Sequence, residues 1–401
     1  MAGLGTSYIH QYSIGVMIPP LEGDLGWSRS QITSGMFIIS LVVFPLAPLL
    51  GMIVDRFGPR RVALTGIVTY CGALAALSLA HQALWTWWLL WAVLAFGHLF
   101  LNATVWVAAI SSLFGASRGL ALAAALSGSG LMSFFVPLTT YYFIDMLGWR
   151  LTYVVWGALS ASIAVPALYF FFSSEIDRLR SSGLRPIGGR KEKLEAKALL
   201  PGPSTKEGFL SAPFFKLSAV TFMITLTNIA ILVNIVPILS SIGIKTAVAA
   251  ATAGIIGIFQ IVGRLVGGIA LDRLNPRVIA SISMLLPTIV GLLLISSGGN
   301  LWMVTLAVAF FGLSMGAELD VVAFLGSRYF GQRSFGTIFG GIFAVMALGT
   351  GLGPVLASFV YDQTASYMIV LWAGIPLSIA SAILIATIGP FPDFGEAPCG
   401  G

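Results

Sequence analysis

Two charged turns, each wedged between long apolar runs, recur half a chain apart. The first reads Gly51-Met52-Ile53-Val54-Asp55-Arg56-Phe57-Gly58-Pro59-Arg60-Arg61, and the second Gly268-Ile269-Ala270-Leu271-Asp272-Arg273-Leu274-Asn275-Pro276-Arg277. Asp272 follows Asp55 by 217 positions, and Pro20 with Pro237, Pro137 with Pro354, and Asp145 with Asp362 keep that spacing. Phe114-Gly115 before Arg118 is echoed at 216 or slightly less by Phe330-Gly331 before Arg333. One such pair would mean little. Several at nearly one offset imply a chain built twice, its two bundles placed around a common centre.

The solvent of those bundles follows from how few charges there are. Hydrophobic residues make up 57% of the 401 positions and charged residues 9%, with a mean hydropathy of +0.96. A soluble domain carries about 25% charged residues on its surface. Most of this chain must therefore face lipid, and an all-α membrane protein is expected, with room for about a dozen spans of about 20 residues. Twelve helices are read at 4–21, 30–54, 62–80, 85–114, 119–146, 149–173, 213–240, 247–271, 277–297, 301–327, 335–361 and 366–388. They divide into an N-terminal six-helix bundle (1–173) and a C-terminal one with a short tail (213–401). Between them, 174–212 reads as a polar, basic linker, with a short helix expected near Lys191 to Ala198.

The formal net charge of +6 does not point to nucleic acid, because its distribution follows topology. Of the 21 Lys and Arg, 17 fall in the loops after even-numbered helices, counting Lys216. The opposite face has Arg29, Arg150 and Lys245. By the positive-inside rule the basic loops and both termini are expected in the cytoplasm, in a bacterial inner membrane. Cys71 and Cys399 suggest neither disulfide nor metal site. No cleavable signal is expected, since the chain enters an apolar stretch almost at once. No metal-ligand cluster, phosphate-cradling loop or paired nucleophile and base is present, so neither an enzyme nor a cofactor is expected.

The Gly-x-x-x-Asp-Arg-x-Gly-x-Arg-Arg turn, its degenerate second copy and the twelve spans resemble the major facilitator superfamily across the whole chain. That resemblance implies two pseudo-symmetric six-helix bundles and alternating access. It also implies a cytoplasmic gate of Asp55, Arg56, Arg60, Asp272 and Arg273 that latches the bundles in the outward-facing state. Asn275 replaces a glycine in the second copy, which also lacks a second arginine. Three stretches resemble the monocarboxylate transporter and oxalate–formate exchanger branch: Gly26-Trp27-Ser28-Arg29, then Phe114 to Ala121 with Gly148-Trp149-Arg150, and Gly263-Arg264-Leu265-Val266-Gly267-Gly268. In that branch the helix-eight arginine is the carboxylate ligand. Gly316-Ala317-Glu318-Leu319-Asp320 is similar to a bacterial group within it.

The residues support the same assignment on their own chemistry. A guanidinium in mid-span costs about 2.5–3.5 kcal/mol on insertion scales and therefore sits against an anion or a wet cavity. Its planar fork suits a carboxylate. Arg264 is expected as substrate ligand, the alternative being a permanent pair with Glu318 or Asp320. These two acids point about 160° apart on their helix, so they cannot both face Arg264. Either could take up a proton in a low-dielectric site and couple it to anion binding. The internal repeat brings Asn102 opposite Glu318, with His98 one turn earlier. Tyr8, Tyr12 and Asn228 complete the expected site, Tyr8 being equally readable as a surface anchor. With Arg264 the only embedded fixed cation, a monocarboxylate is favoured over a dicarboxylate.

The sequence therefore leads to a secondary active transporter of a small organic anion, by proton symport or exchange, working in the bilayer as a monomer. The alternatives are an exporter of a sugar or drug-like solute and a transporter-like sensor without flux.

Overall fold

The computed structural model describes residues 2–102, 105–106, 118–172, 202–331, 333 and 335–392; side chains at 2, 47–48, 51–52, 55–56, 118–126 and 171 lie outside that description. The helix expected near Lys191 to Ala198 falls outside it. Thirteen helices follow in order among the described residues: α1 (Ala2–Thr6), α2 (Ile9–Leu25), α3 (Arg29–Phe57), α4 (Pro59–Ala76), α5 (Leu84–Phe100), α6 (Arg118–Phe171), α7 (Thr205–Phe209), α8 (Ala212–Ser241), α9 (Thr246–Arg273), α10 (Pro276–Ser296), α11 (Leu301–Phe330), α12 (Phe335–Thr364) and α13 (Met368–Ala386). Nine of them are long and apolar enough to cross a membrane.

The expected twelve spans reconcile with that number. α6 is two spans, because Gly148 takes a left-handed φ of 77° that folds the helix back, and Trp156 Nε1 then donates to Thr140 Oγ1 across the hairpin at 3.0 Å. Leu84–Phe100 is a shorter apolar helix. The first span is broken at Ser7–Tyr8 into α1 and α2. Polar residues set the helix starts. Ser28 forms a capping box with Gln31, and Asn275 and Asn300 cap α10 and α11 through their side-chain oxygens, satisfying N–H groups the helix cannot. Pro59 and Pro276 then occupy the first helical position after each charged turn, where a missing N–H costs nothing.

Apolar side chains face outward along the spans, Val68, Ile163, Val266 and Ile383 among them, as lipid contact requires. The halves meet through α2 on α8, α3 on α12, and α6 on α9. At these crossings glycines bring backbones together. A Cβ on Gly15 would lie 2.1 Å from the Val233 carbonyl oxygen, and one on Gly257 would lie 2.1 Å from that of Gly130.

The seam is one-sided. One apolar core runs through the N-terminal half and on into the Arg29 end of the C-terminal half, taking in Ile231, Val236, Ala253 and Tyr367. At the end carrying the charged turns, the C-terminal half keeps a separate core around Leu217, Leu271, Val321 and Ile338. The bundle is therefore closed at the Arg29 end and divided at the basic end.

Candidate functional site

Glycine packing in the C-terminal half positions the central charges. Cβ atoms on Gly312 and Gly316 of α11 would meet the carbonyl oxygens of Ile256 and Gln260 on α9 at 2.6 and 2.2 Å, and the Arg264 amide nitrogen lies 2.7 Å from the latter position. α11 therefore lies against α9 at the depth of Arg264, where no larger residue would fit.

From that contact the two acids diverge, as their angular separation requires. Glu318, 8% exposed, turns toward α8, where its Oε1 accepts from Thr225 Oγ1 at 2.6 Å and its Oε2 from Asn228 Nδ2 at 2.8 Å. Asp320, half-buried, stays within electrostatic reach of Arg264. Among the described residues, the ion pairs within 4.0 Å are Arg29–Glu22 and Arg150–Asp24, so Arg264 is bound to neither acid. Among the described residues its Nη1 is buried without a hydrogen-bond partner, as are Asn228 Oδ1 and Gln260 Oε1. A buried donor left unpaired costs about 1–3 kcal/mol, and more when charged. A guanidinium with a spare donor has the chemistry to take a carboxylate.

Across the seam, Tyr8 and Tyr12 lie within the electrostatic reach of the same guanidinium. Tyr8 sits at the break between α1 and α2, its ring 6.3 Å from Tyr12 and 6.5 Å from His98. Its ring thus packs on side chains of α2 and α5. Tyr12 lies beside Gln260 of α9 and Ser133 of α6. His98 Nδ1 bonds to the Ser7 carbonyl at 3.2 Å, filling the acceptor that the break exposes. It also packs at 5.1 Å on His10, whose Nδ1 pairs with the Tyr70 hydroxyl at 2.9 Å. Asn102 stands in the turn past α5, its N–H bonded to the Leu99 carbonyl at 3.2 Å.

Asn228, expected as a substrate contact, donates through Nδ2 to Glu318, and its Oδ1 is without a partner among the described residues. Thr225, Gln260 and Ser133 escape sequence reading, although Thr225 precedes Asn228, and Gln260 precedes Arg264, by one helical turn. Beside Tyr12 a small cavity runs between the halves, lined by Gly15, Ser133, Val233 and Ile256. A wider pocket opens beyond it at Arg29 and Tyr361. Neither is lined by Arg264, which lies deeper, toward the basic end.

At that basic end, Arg60 donates to the Tyr169 carbonyl and lies over the Tyr169 ring, within its own half. Asp272 and Arg273 are exposed and form no ion pair among the described residues. The side chains of Asp55 and Arg56 lie outside the description.

A doubled membrane bundle of this kind is an architecture of solute transporters. The chain belongs to the Major Facilitator Superfamily, which it matches over residues 1–354. Monocarboxylate transporter 13 of Bos taurus is 26% identical over 320 residues, covering 78% of this chain and 69% of that protein. A triacylglyceride transporter of Mycobacteroides abscessus is 30% identical over 118 residues, 29% of this chain and 23% of that protein's own length. The D-xylose-proton symporter shares the fold, with a TM-score of 0.74 at 14% identity over 97% of this chain and 96% of that one.

Proposed function

We propose that the protein is a secondary active transporter of a small organic anion bearing one carboxylate, with Arg264 as the carboxylate ligand. The observation that carries this reading is the buried, unpartnered Nη1 of Arg264, held apart from both acids of α11. A substrate carboxylate would supply two charge-assisted hydrogen bonds, with Tyr8, Tyr12, His98 and Asn102 as the facing wall. Likeness to the monocarboxylate transporters supports the substrate class.

In this reading Glu318 or Asp320 carries the coupled proton, and Asn228 serves Glu318 rather than the substrate. The basic end is cytoplasmic and the membrane a bacterial inner membrane. Closure at Arg29 then makes the observed conformation inward-facing. Asp55, Arg56, Arg60, Asp272 and Arg273 would latch the basic end when the halves rock the other way, across a bundle split into 1–173 and 213–401.

The test is counterflow in proteoliposomes, screening mono- and dicarboxylates with and without a pH gradient. Each charge-assisted bond contributes about 1.5–3 kcal/mol, so Arg264→Ala should weaken uptake of the accepted anion by about 100-fold or more. Saturable flux of a sugar or other uncharged solute that survives Arg264→Ala would refute the carboxylate assignment. Binding without flux would refute transport.

A further inference from the structure

The stretch Gly26-Trp27-Ser28-Arg29 and the repeated Asp362 have no part in the anion site, yet they meet at the closed end. The first N–H groups of α3 need partners from outside the helix. Ser28 Oγ accepts from the Gln31 N–H at 3.3 Å, and Gln31 Oε1 accepts in return from the Ser28 N–H at 3.0 Å. The two N–H groups between, those of Arg29 and Ser30, donate to Asp362 Oδ1 and Oδ2 at 3.1 and 2.9 Å. A carboxylate of the C-terminal half thus completes the cap of a helix in the N-terminal half.

The Arg29 side chain makes the same crossing. Its Nε donates to Glu22 Oε1 at 3.0 Å within its own half, while its Nη1 donates to the Tyr367 hydroxyl at 3.0 Å in the other. The guanidinium lies 3.7 Å from the centre of the Tyr361 ring, which stacks on Tyr367 at 4.5 Å. Tyr367 in turn donates to Asn234 Oδ1 at 3.1 Å, and Ser358 donates to the same oxygen at 3.3 Å. The Arg29 side chain is 15% exposed, whereas Asp362 and its two bonds face solvent. Neighbouring polar groups are engaged locally: Asp24 takes Trp149 Nε1 and Arg150, and Trp27 Nε1 donates to the Gln82 carbonyl.

We propose that Arg29 and Asp362 are the gate of the end opposite the charged turns, and that their cross-half bonds set how long that end stays shut. When the halves part, Arg29 keeps Glu22 but gives up Tyr367 and the tyrosine ring, and two α3 N–H groups pass to water. The gate reaches α8 through Asn234, six residues or about 9 Å along the helix from Asn228. The carboxyl site and the gate therefore ride on one rigid element.

The test does not depend on which solute is carried. In a background with both native cysteines replaced, a single cysteine at Val236, 4% exposed beside the Arg29 pocket, is reacted with a membrane-impermeant maleimide applied from the Arg29 side. Loss of a helix cap predicts labelling at least about 5-fold faster in Asp362→Ala, and also faster in Arg29→Ala and Tyr367→Phe. Asp362→Asn, whose single side-chain oxygen can keep one of the two N–H bonds while its NH2 opposes the other, should fall between the parent and Asp362→Ala. A cysteine at Leu294, buried inside the C-terminal half, reports general loosening. Unchanged labelling at Val236 in Asp362→Ala and Arg29→Ala, or equal acceleration at Leu294, would overturn the proposal.

Discussion

Gly15→Ala should force the closed end apart, and Gly23 in the same helix supplies the control. At Gly15 the added methyl would stand 2.1 Å from the Val233 carbonyl oxygen, whereas ordinary contact begins at 3.4 Å. The obstacle is backbone, so no side chain can rotate away, and α2 must move off α8 by about 1.3 Å. Overpacking of this kind costs about 1–3 kcal/mol, which corresponds to about a 5- to 150-fold shift of the closed-to-open ratio toward open. At Gly23 nothing lies within 4 Å, so alanine there should leave the ratio alone. The assay is pulsed electron resonance on spin labels at Trp85 and Trp302, 62% and 85% exposed at the starts of α5 and α11 on the Arg29 end of the two halves. Gly15→Ala should add a longer-distance population that Gly23→Ala lacks. Identical distance distributions in the two variants would show that the seam does not hold this end closed.

Two further outcomes can be checked. Glu318→Gln keeps the size of a side chain held by Thr225 and Asn228 but cannot ionise, and it or Asp320→Asn should abolish pH-driven uptake while leaving counterflow; normal coupling in both variants refutes a proton role for these acids. In the cap of α7, donation from the Ser204 backbone N–H to Oε2 at 2.9 Å, with the Ser204 side chain beside it, holds the Glu207 carboxyl below its ordinary value of 4.5. Because the folded value is the lower one, this support is complete above about pH 4.5 and lost as pH falls through the depressed value. Amide protection factors in α7 should drop there and become pH-independent in Glu207→Gln, and a protection factor constant down to about pH 3 would contradict that.

The repeat was legible because its markers are backbone-breaking residues. Pro20 and Pro237, like Pro137 and Pro354, lie inside helices of matching rank. Arg264 was legible because a charge in an apolar run is conspicuous, and the opposed directions of Glu318 and Asp320 followed from helical geometry alone. Partner choice was not. Thr225, Gln260 and Ser133 look like ordinary polar punctuation, and only the approach of α8, α9 and α6 gives them their neighbours. The break at Ser7–Tyr8 has no proline or glycine at the site to announce it. Instead, His98 compensates the break from another helix. The role of Arg29 was hidden for a similar reason, since its counterpart Asp362 is 333 positions away.

Arg60 carries a further implication. By donating to the Tyr169 carbonyl it satisfies an acceptor near the C-terminal end of α6, where positive charge is favourable. Any bond it forms to the opposite half must first strip it from that helix end. Under the proposed latch, the two conformations would compete for one guanidinium, and their energies would differ by an exchange of partners rather than by the whole strength of either contact. Such trading keeps a two-state machine near balance, so that a solute of modest affinity can tip it.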